Sequence, residues 1–507
     1  MLFNSYVFVA AFLPLTLAGF AAACRLGRLP AALFLLFASL VFYGWWNPRY
    51  LPLLAVSVGA NYAASVLIMR CPARPRWQGA ILMGAVAGNL AALFWCKYLA
   101  AVMWFLHVHG IADVALADPV LPLGISFFTF TQIGFLVDCR QGQAREPSLL
   151  NYALFVSFFP HLIAGPILHH REIMPQFADP ATWRLRGENI AVGSAIFLIG
   201  LLKKTLLADP LAPLASAGYA DPAALTLFPA WHAALAYSLQ LYFDFSGYSD
   251  MAIGLARLFN LRFPLNFHSP YQAQSVIDYW QRWHMTLTRW LMTYLYNPLA
   301  LRITRRRVAR GLASDRIART TLRGFVSMVA LPTMVTIGLA GVWHGSAFTF
   351  VVFGLLHGAY LCVNHAWRLW WPGPRSSAWW AVVGRVSLTY GCVLTGSVVF
   401  RATSLTDAGA MLGGMVGLRG GFSAGAPDLR AVVDVLWLAA LYGIVWGAPN
   451  TQQIMRAHAP ALWRAVTGPW PTLIWQPTLP WALAFGAAAT LALLSIGGTG
   501  EFLYYRF

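Results

Sequence analysis

Four stretches near the start of the chain, 3–23, 30–46, 50–69 and 79–106, are apolar with Lys97 as their one charged side chain, and the last has room for a span plus an interfacial part. A bilayer crossing needs about 20 such residues, because a helix rises about 1.5 Å per residue and the hydrocarbon layer is about 30 Å thick. Inside lipid only a helix or a closed barrel satisfies its own backbone polar groups. These runs are long and unbroken, unlike the alternating strands of about ten residues in an outer-membrane barrel. The chain therefore reads as an all-α, polytopic membrane protein, a single membrane-embedded domain over 1–507. Further apolar runs near 346–370, 380–400, 432–449 and 478–497 leave room for roughly ten to thirteen crossings. Charged residues make up 10% of the chain, against about 25% in a soluble domain.

The net charge is +18, from 35 Lys and Arg against 17 Asp and Glu. In a soluble protein that balance suggests nucleic acid. Here the arginines fall between apolar runs, as the positive-inside rule requires, and no nucleic-acid partner is expected. Arg25 and Arg28 follow the first run, only Arg49 follows the second, and Arg70, Arg74 and Arg76 follow the third. That alternation places the N-terminus outside and the first and third loops in the cytoplasm. Arg302, Arg305, Arg306, Arg307, Arg310, Arg316, Arg319 and Arg323 face one acid, Asp315. They read as a solvated cytoplasmic loop able to touch anionic lipid headgroups. The six cysteines show no C-x-x-C pair, and His169-His170 lacks a further ligand at suitable spacing, so no metal is expected. The first apolar run lacks the basic start of a cleaved signal peptide and reads as a retained helix.

Several segments are less regular. Pro122, Gly124, Pro160, Gly165 and Pro166 interrupt 119–137 and 151–168. Broken backbone at membrane depth is tolerated only where it is buried in protein or lines a wet cavity, so short or re-entrant helices are expected there. In 229–258, Gln240, Asp244 and Tyr248 recur every four residues, a polar stripe on an apolar helix. A carboxylate there needs a partner or water. In 272–300, Trp280, His284 and Thr288 are spaced for one helical face among Trp283, Trp290, Arg282 and Arg289. Such a mixture suits an interfacial or re-entrant helix. Finally, Gly341–Gly345 and Gly354–Gly358 each read Gly-x-x-His-Gly, which is also G-x-x-x-G, a pattern that lets helix backbones approach closely.

The chain has no G-x-S-x-G elbow, phosphate loop or dinucleotide fingerprint. The chemistry left is that of His284 and His344. A neutral imidazole in a desolvated site suits proton abstraction from a hydroxyl, and a base that activates a hydroxyl toward a thioester gives O-acyl transfer. Taken alone, these residues describe a membrane enzyme or a transporter with buried histidines.

Longer motifs narrow the choice. PLGISFFTFTQIGFLVD (122–138), FVSFFPHLIAGPI (155–167), GLLKKTLLAD (200–209), LQLYFDFSGYSDMAIGLARLFNLRFPLNFHSPYQAQS (239–275), WQRWHMTLTRW (280–290), GVWHGSAFTFVVFGLLHG (341–358) and FLYYRF (502–507) occur in this order. Together they resemble the membrane-bound O-acyltransferase family, in its bacterial polysaccharide-acetylating branch. The resemblance implies a ring of roughly 11–13 transmembrane and re-entrant helices around a central tunnel. It implies catalytic roles for His344 and His284, with Trp343, Trp283, Asp244, Gln240 and Tyr248 as candidate substrate-binding residues. The last three are equally suited to holding helices together, and His357 reads as a wall residue. No metal and no bound cofactor are implied; acetyl-CoA is the expected acyl donor. A secreted polysaccharide is the expected acceptor, reached from the bacterial inner membrane with a periplasmic SGNH-type acetyltransferase as partner. D-alanyl transfer to teichoic acid and acyl or glycan transport are the rival readings. Met292-Thr293-Tyr294-Leu295-Tyr296-Asn297-Pro298-Leu299-Ala300 departs from the branch's Arg-Asp-Tyr-Leu-Tyr-x-Pro-Leu-Gly-Gly. That leaves alginate, cellulose and peptidoglycan open as acceptors.

Overall fold

The computed structural model describes residues 1–111, 121–144, 148–374, 376–421, 429–462, 473–497 and Leu503. The FLYYRF motif, apart from Leu503, lies outside the described residues. Among those described the chain is helical, with one isolated parallel bridge, Pro264 to Leu462. Among the described residues eight helices are long and apolar enough to cross a membrane: Val7–Leu26, Arg28–Trp46, Pro48–Arg70, Pro75–Lys97, Gly187–Ala220, Leu322–His344, Phe348–Trp370 and Trp379–Arg401. Leu99–Val108, Ala431–Gly447 and Leu479–Leu494 are shorter apolar helices. The expected run at 79–106 is thus a span followed by a short helix. The interrupted segments give short helices, Ile125–Arg140, Leu149–Ser157, Phe159–Leu162 and His170–Ala178. Their breaks follow the backbone rules. Gly124 takes a left-handed φ of 71° before the first, and Pro160 opens the third, where its missing N–H costs nothing. The basic stretch after Pro298 is not mainly loop. Asn297–Ala309 is helical, and Arg307 donates back to the Ala313 carbonyl and the Ser327 hydroxyl.

The described residues group into two compact units. One comprises 1–206, 244–266 and 449–506. Its core is aromatic: Phe12 meets Phe159 edge-on at 5.4 Å, and Phe159 meets Phe259 at 5.7 Å. A glycine seam joins helix Gly187–Leu202 to the C-terminal part of Leu227–Leu258. A Cβ on Gly200 would sit 2.5 Å from the Gly247 carbonyl oxygen, so the backbones touch. Beside this seam lie two ion pairs. Lys204 Nζ is 2.6 Å from Asp244 Oδ1, with both side chains almost fully buried, and Lys203 Nζ is 2.6 Å from Asp250 Oδ2. The Leu503 backbone N–H also donates to Asp244, at 2.9 Å, and the Thr451 hydroxyl donates to Asp250 at 2.6 Å.

The other unit comprises 207–243, 267–448 and residue 507. Here the stretch 341–358 resolves into a helical hairpin. The first helix ends at His344, Gly345 is extended, and the second helix begins at Phe348. The leading glycines of the two Gly-x-x-His-Gly copies meet. A Cβ on Gly341 would lie 2.3 Å from the Phe350 carbonyl oxygen and 2.9 Å from Gly354 Cα. A Cβ on Gly338, one turn earlier, would meet only the end of Leu355 at 3.5 Å. We therefore expect Gly341→Ala to destabilise the hairpin by about 1–3 kcal/mol and to lower activity with it, while Gly338→Ala is tolerated. Thermal unfolding of both variants in detergent is the check, and equal stability of the two would refute the packing argument.

Candidate functional site

His344 is the last residue of its helix and is 8% exposed. Its ring packs edge-on against Phe400 at 5.2 Å and Phe353 at 6.1 Å, and lies 5.0 Å from the Trp343 ring. Trp343 in turn lies 6.4 Å from the ring of His284. The structure thus brings the two candidate histidines to one aromatic cluster, one on each side contact of Trp343. Sequence spacing could not do this, because sixty residues separate them.

His284 is held differently from its expected place on a helical face. Helix Val276–Trp280 stops, and His284 adopts a left-handed backbone, φ 43° and ψ 51°, before a new helix runs Met285–Leu291. Trp280, His284 and Thr288 therefore do not share one continuous helix. A left-handed conformation costs a non-glycine residue about 1–2 kcal/mol, and such strain persists only where the surroundings enforce it. Here the Trp283 N–H is bound by the Tyr279 carbonyl at 2.8 Å, and the Arg282 carbonyl accepts from the His268 N–H at 2.9 Å. Both bonds hold the residues just before His284, and on the far side the Thr288 N–H donates to the His284 carbonyl at 3.0 Å. His284 is 1% exposed and lies outside the eight spans. Burial pushes its imidazole well below the ordinary histidine value, so it is neutral at physiological pH. His284→Gly should relieve the backbone strain while His284→Ala retains it. We expect glycine to be the more stable by about 1 kcal/mol and both to lose activity. A stability order reversed in detergent unfolding would show that the turn is not strained.

A cavity of about 230 Å³ lies between helices Leu331–His344 and Phe348–Trp370 and the segment 277–296; the two candidate histidines do not line it, but Trp280 and Thr288, four residues either side of His284, do. Its walls include Trp280, Thr288, Met292, Thr333, Thr336 and His365. Thr336 is two turns before His344, roughly 10–12 Å along the helix axis. The Trp280 indole N–H and the Thr288 and Thr336 hydroxyls are buried with no hydrogen-bond partner among the described residues. Unmade hydrogen bonds of this kind cost about 1–3 kcal/mol each, so polar groups in a mostly apolar cavity mark where a ligand or water is met. Met292–Tyr296 and Val326–Ala330 are π-turns, a distortion that recurs at functional positions. Among these wall residues the sequence pointed only to Trp280, Thr288 and Met292, since threonines in an apolar helix carry no signal until a facing helix is known.

The remaining candidates fall elsewhere. Trp283 packs on Phe267 at 4.9 Å and stacks with Tyr279 at 5.8 Å. Gln240 is buried in the same unit as the histidines. Asp244 and Tyr248 belong to the first unit, where Asp244 pairs with Lys204 and Tyr248 stacks on Phe3 at 4.6 Å. Lys204 was missed as a partner, although a lysine within an apolar run was the available signal. His357, the histidine of the second copy, is 1% exposed, and its ring is caged by Phe353, Trp280, Tyr360 and Tyr279.

Comparison with known proteins bears on what this cluster serves. The model of the membrane-bound O-acyltransferase family matches residues 82–314. A peptidoglycan O-acetyltransferase of Helicobacter pylori is 37% identical over 83% of this chain and 80% of its own length. A probable alginate O-acetylase of Azotobacter vinelandii is 34% identical over the full length of both. A teichoic acid D-alanyltransferase of Bacillus subtilis is 26% identical over 64% of this chain and 78% of its own. With helices fit to cross a membrane eight times and relatives matched along its length, the chain belongs to the membrane-bound O-acyltransferase family and is a multi-pass membrane O-acyltransferase.

Proposed function

We propose that this enzyme takes acetyl groups from acetyl-CoA at the cytoplasmic face of a bacterial inner membrane and passes them toward a polysaccharide outside it. The observation that carries the reading is the His284–Trp343–His344 cluster, together with a cavity whose unpartnered polar groups include Thr336 on the helix that ends at His344. Relatives named for O-acetylation of peptidoglycan and alginate support the acetyl group and the sugar acceptor. The cavity suits the thin, amide-bearing arm of a thioester donor, whose amides would meet Trp280, Thr288 and Thr336.

His344 acts as general base. Its neutral imidazole takes the proton of the acceptor hydroxyl as that oxygen bonds to the thioester carbonyl carbon. The carbon–sulfur bond then breaks, and the proton passes to the leaving CoA thiolate. The products are an acetyl ester and CoA thiol. The imidazolium formed on the way lies at the carbonyl end of its helix, where positive charge is favoured. His284 polarises the thioester carbonyl or positions the hydroxyl, and Trp343 and Trp283 supply aromatic wall. The hydroxyl belongs to the polymer or to a periplasmic SGNH-type partner that completes delivery. Asp244 and Tyr248, given their partners, hold helices together.

The test uses purified protein with radiolabelled acetyl-CoA, paired with polymer acetylation in intact cells so that a missing partner is supplied. Acetyl transfer from acetyl-CoA supports the reading. Transfer from a D-alanyl carrier protein alone, or passage of substrate across liposomes without acyl chemistry, would replace it with one of its rivals.

A further inference from the structure

A second cluster of chemically able side chains lies in the first unit. His169 and His170 close the loop before helix His170–Ala178, and Asp138 stands near the end of helix Ile125–Arg140. His169 Nε2 is 3.0 Å from Asp138 Oδ2, and His170 Nδ1 is 3.1 Å from the same oxygen. The three donor atoms all lie within 4.8 Å of one another. Asp138 is 2% exposed, His170 7% and His169 20%, so the group is shielded but reachable from one side. The third donor was invisible in sequence because it comes from another helix.

The hydrogen bonds around His170 say more. Its Nε2 is 3.2 Å from the Gln143 backbone carbonyl. A carbonyl only accepts, so that nitrogen carries a ring proton. In the neutral ring the other nitrogen then turns its lone pair toward a carboxylate oxygen, which also only accepts. Two lone pairs at this distance repel unless a cation lies between them. A ligating histidine with its far N–H on a backbone carbonyl is the usual second shell of a protein metal site. Two imidazoles and a carboxylate suit zinc and its neighbours rather than calcium or magnesium, which prefer all-oxygen shells. Ligands about 2.0–2.1 Å from zinc at tetrahedral angles stand roughly 3.3 Å apart, close to the two separations seen. The second shell continues outward: Arg171 donates to the Gln143 side chain, and Glu172 accepts from the His169 N–H at 3.1 Å. His169 Nδ1 accepts from the Arg171 N–H at 3.3 Å, a long contact that must loosen for Nε2 to serve as ligand.

The geometry points to a divalent transition-metal site built from Asp138, His169 and His170. It bridges the end of one short helix to the start of another, a structural tie in a region of broken helices, apart from the histidines proposed for acyl transfer. Full-length protein purified in detergent without a polyhistidine tag tests it, by elemental analysis and by cobalt(II) titration read in the visible spectrum. Wild type should hold about one zinc per chain and give the strong bands of a tetrahedral cobalt site. Asp138→Asn and His170→Gln should weaken binding by roughly tenfold or more, with elution as a folded species unchanged. Wild type that holds no metal and gives no cobalt bands would overturn the assignment and leave a proton as the bridging cation. Undiminished metal in both variants would overturn it equally, placing the ion elsewhere.

Discussion

His344→Ala is expected to slow acyl transfer by about 10²–10⁴-fold, the contribution of a positioned general base. The protein should still fold, because the ring lies at a helix end, packed against Phe400 and Phe353. Labelled acetyl released from thioester and acetyl found on polymer in cells both report the step. Unfolding in detergent shows whether the variant is intact. Transfer persisting at the wild-type rate in an intact variant would remove His344 from the chemistry. His357→Gln is the informative contrast. That histidine sits three residues after Gly354 as His344 does after Gly341, but it is caged by four aromatic rings. We expect it to affect stability more than rate.

The second large effect concerns the ion pair of Lys204 and Asp244. Removing one partner leaves an uncompensated buried charge, so Lys204→Met is expected to cost about 3–5 kcal/mol. The double variant Lys204→Met with Asp244→Leu should recover much of that loss, since neither charge then stays buried. Recovery should be incomplete, because the Leu503 N–H loses its acceptor, worth about 1–3 kcal/mol. Unfolding of the two single variants and the double variant in detergent gives the coupling directly. Additive losses would mean that the pair contributes no stability as a pair. The neighbouring Lys203–Asp250 pair, more exposed and with Thr451 also donating to Asp250, should show a smaller coupling.

Much of this architecture was legible in the residues. Uncharged runs of about 20 residues dictate helices in a bilayer, and the shorter helices fall where prolines and glycines interrupt apolar segments. The Gly-x-x-His-Gly copies announced close backbone approach, and Gly341 against Gly354 is that approach. Other features were not legible, for a common reason. The periodicity that places Trp280, His284 and Thr288 on one face assumes an unbroken helix, and the left-handed turn at His284 is imposed by contacts to Tyr279 and His268. Asp244 announced its need for a partner, but Lys204 became that partner only through a glycine seam between two helices. The hairpin break after His344 likewise places the ring at a helix end, a position the apolar pattern does not specify.

By itself the sequence determined the helical class, the membrane setting and which side chains were too costly in lipid to be incidental. Those properties follow from local composition and from the price of burying charge, which depend on nothing distant in the chain. Tertiary structure decided which of those side chains meet. It set His284 and His344 about Trp343, gave Asp244 to Lys204, and gathered Asp138 with His169 and His170. Each meeting joins residues far apart in the chain, and only the packing of helices carries that information.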